Sequence, residues 1–394
     1  CFCSVNPAAE QLFSASWNML VGRRLDDFVA AHTTILSLVR QVQASGTSIS
    51  DYGVELAANF KRYFKDCEKV ISLPYVTDLA RSAIQYDHLS AEDRLNQIDF
   101  SAQERGLMTP ILSMYFLGSA KEGAYTELVR DWTLAGRDMG VLAEAASRYS
   151  IQGGTVGLID RMVQDGGFEV RLSSAVSQVI QTPAGVTVKT EDGKALHSRF
   201  VVVAVPVNTL NSIDFQPKLI EGKRAMASER HPGVGCQVYI RVKGPFTTTI
   251  YAPPSEGLSC VSPWKIDASG GTLLKGYSCN AGVPGFDPHS AKSVQAFLSR
   301  YVPGTEVTET LGYDWVLDPY ALGTHCFFKP DQWSRYLSAL RQPEGRLFFA
   351  GGDIASGWRG YIDGAIESGA LTAQVVIAAA RASAAPSRVV RGPA

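Results

Sequence analysis

Apolar and polar positions follow two different rhythms along this chain. Apolar side chains recur at helical spacing through residues 7–45, and few strand signals occur before residue 165. Short segments rich in β-branched and aromatic residues then follow at residues 168–172, 176–181 and 186–190. The first third is therefore predicted to be helical, and the remainder to mix strands with helices.

The middle of the chain predicts one helix and one buried strand. Residues 156–163 are predicted to form a helix that is capped by Thr155 and ended by Gly166-Gly167. The near-continuous apolar run at 200–205, Phe-Val-Val-Val-Ala-Val, is typical of a strand buried on both faces of a parallel sheet. Further elements are predicted at residues 238–242 and 272–277 as strands and at 290–301 as a helix.

A strand–loop–helix unit closes the ordered part of the sequence. A strand at 346–350 runs into Gly351-Gly352 and Asp353, and a loop leads to a helix at about 363–380. Glycines at the end of a strand let a ligand approach the backbone, and a helix start offers free N–H groups to an anion. By itself, an ordinary strand–loop–helix unit explains these features equally well.

Composition excludes several classes of function. The 394 residues are 45% hydrophobic with a formal net charge of -1, so the chain has an ample core and no basic surface for nucleic acid. The apolar run at 370–380 is interrupted by Gln374 and is too short for a membrane span. No signal-peptide pattern opens the sequence, and no G-x-S-x-G motif supports a serine hydrolase.

Cysteine and histidine usage points to inert thiols rather than to a metal site. The seven cysteines are scattered, which favours free thiols in a reducing, intracellular compartment. The six histidines lack metal-ligand spacing, so no metal site is expected.

Two distant segments resemble the flavin-containing monoamine oxidase family. The C-terminal one reads R-L-F-F-A-G-G-D-I-A-S-G-W-R-G-Y-I-D-G-A-I-E-S-G-A-L-T-A at residues 346–373. The other lies within residues 147–217 and contains G-G-T-V-G-L-I-D-R-M, E-V-R-L-S-S-A-V-S-Q-V and V-V-V-A-V-P. G-Y-D-W at 312–315 and G-T-H-C-F-F-K-P at 323–330 are similar to the family as well.

The resemblance implies an α/β (α+β) fold with two domains. A Rossmann-like FAD-binding domain, incomplete at its N-terminus, is joined to a substrate domain made of helices and an antiparallel sheet. The implied segments are 1–150 for the helical part of the substrate domain, 151–228 for FAD binding, 229–316 for the substrate sheet, 317–382 for the C-terminal FAD-binding segment and 383–394 for a disordered tail.

The resemblance also implies roles for particular residues. Val176 matches the position whose backbone contacts the adenine side of FAD, and Trp315 matches an aromatic residue beside the flavin ring. Tyr361 matches one wall of the aromatic pair that holds the amine in many relatives. The remaining implied FAD contacts, from the ribityl and phosphate region to the pyrimidine edge, are Gly352, Asp353, Gly360, Tyr361 and Ile362.

Three departures from the family pattern bear on the chemistry. Gly323 stands where relatives with a covalent flavin have cysteine, so non-covalent FAD is expected. Thr324 stands at the second aromatic wall, where His325 or Phe327 are the candidate substitutes. Gln237 stands where the family often has a lysine that hydrogen-bonds a water at flavin N5, so altered reactivity with oxygen is expected.

The family begins with a strand–G-x-G-x-x-G–helix unit that binds the FAD pyrophosphate. No such motif occurs near the start of this sequence, which begins at Cys1. A dinucleotide-binding unit is therefore expected to precede the sequence as given.

The implied reaction is FAD-dependent oxidation of an amine to an imine, which hydrolyses to an aldehyde or ketone, while oxygen is reduced to hydrogen peroxide. The expected partners are a small amine and oxygen, without nucleic acid or a membrane span, and a homodimer is left open. Two alternatives remain. One is another flavoprotein oxidoreductase of the same superfamily, and the other is an inactive fragment or pseudoenzyme.

Overall fold

A computed structural model of the chain describes residues 50–73, 75, 81–142, 151–152, 154–279 and 283–384. The predicted helical segment at 7–45 lies outside the described residues, as do residues 385–394 of the predicted tail.

Helices make up the described part of the chain before residue 167. They are α1 Ser50–Tyr63, α2 Arg81–Ile84, α3 Ala91–Asn96, α4 Ala102–Phe116, α5 Tyr125–Leu134 and α6 Thr155–Gly166, with a 3-10 turn at Cys67–Lys69. Two of them begin at capping boxes, in which Ser90 pairs with Asp93 and Ser101 pairs with Glu104. Each box satisfies N–H groups that a helix start leaves without partners, which fixes where these helices begin.

Strands and further helices alternate through the rest of the chain. The strands are β1 Val176–Thr182, β2 Gly185–Thr190, β3 Ala195–Ser198, β4 Val201–Val203, β5 Asp214–Gln216, β6 Cys236–Val242, β7 Ile250–Tyr251, β8 Cys260–Ile266, β9 Thr272–Ser278, β10 Val307–Gly312 and β11 Leu347–Phe349. The helices are α7 Glu221–Glu229, α8 Ala291–Tyr301, α9 Gln332–Arg341 and α10 Ile362–Ala384. Single 3-10 turns lie at Val207–Ser212, Pro254–Glu256 and Gly352–Ile354.

The strands form three sheets within the described residues. One has the order β3-β2-β1-β5, one has the order β10-β6-β9-β8-β7, and β11 pairs with β4. The five-stranded sheet is antiparallel throughout, whereas the β11–β4 pair is parallel and aligns Leu347 with Val201 and Phe349 with Val203. These helices, parallel strands and antiparallel sheets confirm the predicted α/β (α+β) class.

The antiparallel sheet has one core face and one open face. In β6 the side chains of Cys236, Val238, Ile240 and Val242 are buried, and the alternate residues are only partly buried. This period-2 alternation places Gln237 and Tyr239 together on the open face. The buried face packs against α8 through Val294, Phe297 and Leu298.

Several local expectations differ from the structure. Residues 168–172 form no strand, and Gly154, not Thr155, is the N-cap of α6. In the parallel strand β4, Val203 is buried, but Val202 is 45% exposed within the described part of the molecule, so burial on both faces is wrong for this strand there. Helix α10 runs through Ser383 and Ala384, the first two residues of the predicted tail.

One described helical stretch, Ile362–Ser383, is long and apolar enough to cross a membrane by length and composition, and 11% of it is buried. Core helices of soluble proteins pass the same test. The expectation that the chain has no membrane span therefore stays a prediction. The domain boundaries also stay predictions.

Candidate functional site

A cavity of about 770 Å³ lies where the sheets meet. Pro206 follows the parallel strand β4, and Asp353 follows its neighbour β11, so the carboxyl ends of both strands reach the cavity. The open face of the antiparallel sheet and the segment after β10 complete the wall. The lining residues are Leu117, Pro206, Gln237, Tyr239, Leu311, Gly312, Tyr313, Trp315, Ala321, Gly323, Thr324, His325 and Asp353.

Six of the residues singled out from the sequence line this one cavity: Gln237, Trp315, Gly323, Thr324, His325 and Asp353. A groove of about 670 Å³ on the surface of α7 contains none of the predicted site residues, which is why the first cavity is the candidate site. Ligands of α/β folds bind at the carboxyl ends of parallel strands, and the first cavity has this position.

Asp353 ties the two parallel strands together at the cavity edge. Its Oδ2 accepts the backbone N–H of Val207, which follows strand β4, at 2.8 Å. Burial raises the pKa of the Asp353 carboxyl, and the Val207 N–H and the nearby Arg359 guanidinium act in the opposite direction. At least one carboxylate oxygen of Asp353 therefore serves to hold the protein backbone in place.

The loop after β11 brings the start of helix α10 against the strand end. The Gly352 carbonyl accepts the Gly360 N–H at 3.0 Å. Gly360 has a φ of 82°, and a Cβ at this position would lie 2.6 Å from the Cys326 carbonyl oxygen. Only glycine therefore fits this close approach of two backbones without strain. Ile362, the first residue of the helix, is 46% exposed.

Aromatic rings line the cavity mouth. The Tyr313 and Trp315 rings lie 4.6 Å apart, and each side chain is at least half exposed. The Trp315 carbonyl accepts the Gly323 N–H at 3.1 Å, so the intervening loop folds back onto the cavity wall. Trp315 is thereby held beside Gly323, and its role beside a flavin ring stays a prediction.

His325 is the candidate for the second aromatic wall that lies on the cavity surface. His325 lines the cavity, and its ring lies 6.3 Å from that of Tyr361. Burial lowers the pKa of His325, so the ring is neutral, and Nε2 lies 3.1 Å from the Tyr115 carbonyl. We assign the proton to Nε2 because a carbonyl can only accept. Phe327, the other candidate, is fully buried behind His325 at 4.8 Å between rings.

Thr324 does not form the second wall of the cavity with its hydroxyl group. Its Oγ1 is buried and has no hydrogen-bond partner among the described residues. A Cβ at Gly233 would lie 2.5 Å from this Oγ1, so the hydroxyl sits directly against the Gly233 backbone. Thr324 therefore lines the cavity mainly with atoms other than its hydroxyl oxygen.

Gly323 has no space for a side chain. A Cβ there would lie 2.7 Å from Asn208 Nδ2 and 2.8 Å from His231 Cε1. Asn208 is held in place because its Nδ2 donates to the Leu322 carbonyl at 2.9 Å and its Oδ1 accepts the His231 N–H at 3.2 Å. Burial lowers the pKa of His231 to about 3, so this ring is neutral as well.

The structure does not bring every predicted residue to the cavity. Val176 begins β1 in the four-stranded sheet and is not among the cavity-lining residues. Tyr361 does not line the cavity directly but contacts its wall through His325. Cys326, like the other described cysteines, is buried and unpaired. The described residues contain no group of three or more metal-ligating side chains.

Sequence reasoning missed Tyr239, Leu311 and Tyr115. Tyr239 lies two residues after Gln237 in β6 and pairs with Leu311 of β10. The period-2 pattern of β6 was a usable signal for Tyr239. Tyr115 lies in a helix 210 residues before His325, and no local pattern indicates their contact.

Comparison with known proteins supplies the family. The family model described as flavin containing amine oxidoreductase matches residues 77–377. A pseudooxynicotine dehydrogenase from Pseudomonas sp is 38% identical over 311 residues, which are 78% of this chain and 62% of that protein. A nicotine dehydrogenase from Pseudomonas putida is 30% identical over 336 residues, 84% of this chain and 69% of that protein. The chain thus spans less than two thirds of the first of these relatives.

Solved structures agree on the fold alone, because their identities are low. A putrescine oxidase bound to putrescine aligns with a TM-score of 0.70 at 20% identity, covering 84% of this chain and 77% of that one. A cyclohexylamine oxidase from Brevibacterium oxydans IH-35A aligns with a TM-score of 0.68 at 17% identity, covering 85% of this chain and 77% of that one.

Proposed function

This chain belongs to the family of flavin-containing amine oxidoreductases, and we propose that it oxidises an amine in the cavity between β4, β11 and the antiparallel sheet. The observation that carries the proposal is the convergence of Gln237, Trp315 and Asp353 on this cavity, beside the neutral ring of His325. The cavity has the volume of a small-molecule site.

The residues present fit a flavin. Gly351 has a φ of 140°, and a Cβ built there would meet no atom of the described residues within 4 Å, so this backbone leaves room for a ligand. The first N–H groups of α10 have no acceptor within the helix, which suits an electron-rich edge of a bound ring. We expect Gly352, Asp353 and the Gly360–Ile362 segment to hold the cofactor, with Trp315 beside its ring. Val176 remains our candidate for its adenine side.

The cofactor supplies the acceptor for two electrons from the amine. The chain's own residues select the form of the substrate that can react. Among the described residues, Asp353 is the one charged side chain that lines the cavity, and one of its oxygens accepts the Val207 N–H. Burial in this cavity disfavours a charged amine, so we expect the neutral form to be the one that reacts.

We expect His325, which lines the cavity with the Tyr361 ring 6.3 Å behind it, to orient that neutral amine. The His325 proton is committed to the Tyr115 carbonyl, which leaves Nδ1 as an acceptor for a substrate N–H. We expect the Gln237 amide, which lines the same cavity, to hold a water there. It carries no positive charge, so it gives no electrostatic help to the reduction of oxygen.

We propose non-covalent FAD as the cofactor. Gly323 provides no sulfur for a link, and the space beside it is filled by Asn208 and His231. Cys326 is three residues further along the chain and is fully buried, with its Sγ 4.0 Å from the Asp353 carbonyl. The Cys326 thiol therefore points into the protein interior.

The substrate class follows from the lining and from the relatives. Tyr239, Leu311, Tyr313 and Trp315 give the cavity an apolar wall, which suits an amine carrying a ring. Two relatives are named for nicotine and pseudooxynicotine. We therefore propose an amine with an aromatic ring, oxidised to an imine that hydrolyses to a carbonyl compound, with oxygen as the electron acceptor and hydrogen peroxide as its product.

Anaerobic titration tests the proposal. Nicotine-related amines should bleach the visible absorption of the flavin-loaded protein, and straight-chain primary amines should do so more weakly. Aeration should restore the absorption and release peroxide. If no amine bleaches the flavin, the proposed function is wrong. If bleaching occurs but persists in air, amine oxidation stands and the acceptor is not oxygen, as the name dehydrogenase implies for two relatives.

A further inference from the structure

A second pocket lies on the open face of the antiparallel sheet, beside the candidate site. It has a volume of about 270 Å³ and is lined by Tyr239, Arg241, Trp264, Leu273, Glu309 and Leu311. Tyr239 and Leu311 also line the candidate cavity. These two side chains are paired across β6 and β10, so they form a boundary that the two spaces share.

Strand pairing explains why several strands contribute to this pocket. Tyr239 lies opposite Leu311, and Arg241 lies opposite both Glu309 of β10 and Leu273 of β9. Residues that lie opposite each other in a sheet, and residues two apart in one strand, point to the same face. The pocket is thus formed by the same period-2 alternation that gives the candidate cavity its wall on this sheet.

A bulge in β8 directs Trp264 into the pocket. The register of β8 against β9 shifts between Pro263 and Lys265, so Trp264 is an extra residue on the bulged strand. Bulges re-aim side chains and often lie next to functional sites. The Trp264 ring lies 5.2 Å from the Tyr239 ring, at an angle of 42°, although β9 lies between their two strands.

The walls of the pocket offer aromatic and aliphatic surface that is only partly covered. Within the described part of the molecule, Trp264 is 41% exposed and Leu311 is 68% exposed. Exposed apolar side chains bordered by charged ones are typical of ligand-binding grooves. A planar ring placed against Trp264 and Tyr239 would remove apolar area from water and would also gain aromatic contacts.

The charges around the pocket favour a neutral ring over a cationic amine. Among the described residues, the charged side chains that line the pocket or contact its lining are Arg241, Lys265, Asp267, Lys275 and Glu309. Three are basic and two are acidic, which leaves one excess positive charge. Arg241 lies 2.7 Å from Asp267 and 4.0 Å from Glu309. The two lysine ammonium groups lie 4.5 Å and 5.0 Å from the centre of the Trp264 ring. The excess charge repels a cation, whereas a neutral ring has no such cost.

We propose that this pocket is a second subsite of the candidate site, which binds an aromatic ring of the substrate, and that Trp264 is the residue that selects for the ring. The proposal rests on the proposed function, in which the amine nitrogen lies in the candidate cavity. A substrate that occupies both spaces passes the boundary formed by Tyr239 and Leu311. Trp264 contacts the ring and takes no part in electron transfer, so it determines specificity.

A matched pair of substrates tests the subsite in the flavin-loaded protein. Phenylbutylamine, with the phenyl group at the end of its chain, differs from butylamine by the ring alone. In Trp264→Ala the ratio of kcat/KM for phenylbutylamine to kcat/KM for butylamine should fall about tenfold, because the ring loses an aromatic contact and buried area. Trp264→Phe keeps an aromatic ring and should retain most of the ratio. An unchanged ratio in Trp264→Ala would overturn the proposal.

Ile266→Ala is the control for a change on the same strand. Ile266 lies two residues after Trp264, is 73% exposed and is not among the residues that line the pocket. Its replacement should leave the ratio unchanged. If Trp264→Ala lowers the stability of the protein against urea and leaves the ratio unchanged, protein and not substrate covers the pocket, and the proposal is wrong.

Binding without turnover separates this inference from the proposed function. Phenylbutanol has the ring and the chain but no amine, so it cannot form an imine. Its Kd, measured by isothermal titration calorimetry on the flavin-loaded protein, should rise about tenfold in Trp264→Ala and stay constant in Ile266→Ala. If the Kd responds in this way and no amine is oxidised, the subsite stands and the proposed function is wrong. If amines are oxidised and neither the ratio nor the Kd responds to Trp264→Ala, the subsite alone is wrong.

Discussion

Gly360→Ala is the most direct test of how the loop before α10 is built. Two separate costs arise at this position. The φ of 82° is left-handed backbone, which costs an alanine roughly 1–2 kcal/mol. The new Cβ would also lie 2.6 Å from the Cys326 carbonyl oxygen and 3.2 Å from its nitrogen, so one of the two backbones must move. Together we expect the free energy of unfolding to fall by about 2–4 kcal/mol.

Gly167→Ala is the matched control for this change. Gly167 caps α6 with a φ of 60°, and a Cβ there would meet nothing within 4 Å. It therefore has the same left-handed backbone cost of roughly 1–2 kcal/mol without the collision. The difference between the two variants measures the close approach of Gly360 to Cys326.

Urea unfolding followed by tryptophan fluorescence gives both values, and flavin content gives the functional consequence. Gly360→Ala should also weaken flavin binding and amine turnover, since Tyr361 follows directly in the chain, whereas Gly167→Ala should change neither. Equal destabilisation by the two alanines would refute the reasoning, because it would mean that the loop accommodates a side chain at position 360 freely.

Three further substitutions test individual residues of the site. Tyr361→Ala should lower kcat/KM on the order of tenfold or more with flavin content maintained, since an aromatic contact contributes about 0.5–1.5 kcal/mol beyond its area; unchanged kinetics would remove Tyr361 from the site. Gln237→Lys should change the rate of flavin reoxidation by oxygen more than the rate of flavin reduction by amine, both measured by stopped flow. If neither rate changes, Gln237 does not occupy the predicted position. Gly323→Cys should still release all its flavin on acid precipitation and should be less stable than the parent, because Asn208 and His231 occupy the space; coloured pellets would contradict this.

Periodicity located many elements well because it reports directly on burial. Strand β1 begins at the predicted Val176, and helix α8 begins one residue after the predicted start because Ser290 caps it. Residues 168–172 have the same alternation but form no strand. A strand exists only where its backbone finds a partner, and alternation alone carries no information about partners.

The sequence predicted site residues only in segments that contain a family motif. Gln237, Trp315, Thr324 and Asp353 were placed by resemblance, and the structure brings them to one cavity. The buried ion pair between Glu127 of α5 and Arg359 of the loop before α10 spans 232 residues, and no short pattern specifies it. The usable signal was a cluster of charges within an otherwise apolar helix, since charges at such positions need partners somewhere in the fold.

The departures from the family pattern near Gly323 belong to one structural unit. Asn208, which follows β4, accepts the His231 N–H and donates to the Leu322 carbonyl, so it joins three segments of the chain. His231 Nδ1 in turn accepts the Gly233 N–H at 3.2 Å, and the Thr324 N–H donates to the Gly233 carbonyl at 3.0 Å. A side chain at position 323 would displace the asparagine and the histidine at the centre of this arrangement.

The same unit leads directly into β6, which contains Gln237, the residue predicted to stand where the family often has a lysine. The segment from His231 to Gly235 must pass against both Leu117 and Ser278, whose carbonyls would lie 2.8 Å and 2.2 Å from a Cβ at Gly235. This close packing of the backbone at Gly235 fixes the position of β6 at the cavity, and thereby the position of Gln237. Gly323→Cys or Gln237→Lys alone therefore changes one residue of a unit that is packed around glycines. We expect each single substitution to lower the stability of the protein without giving it the corresponding property of the relatives.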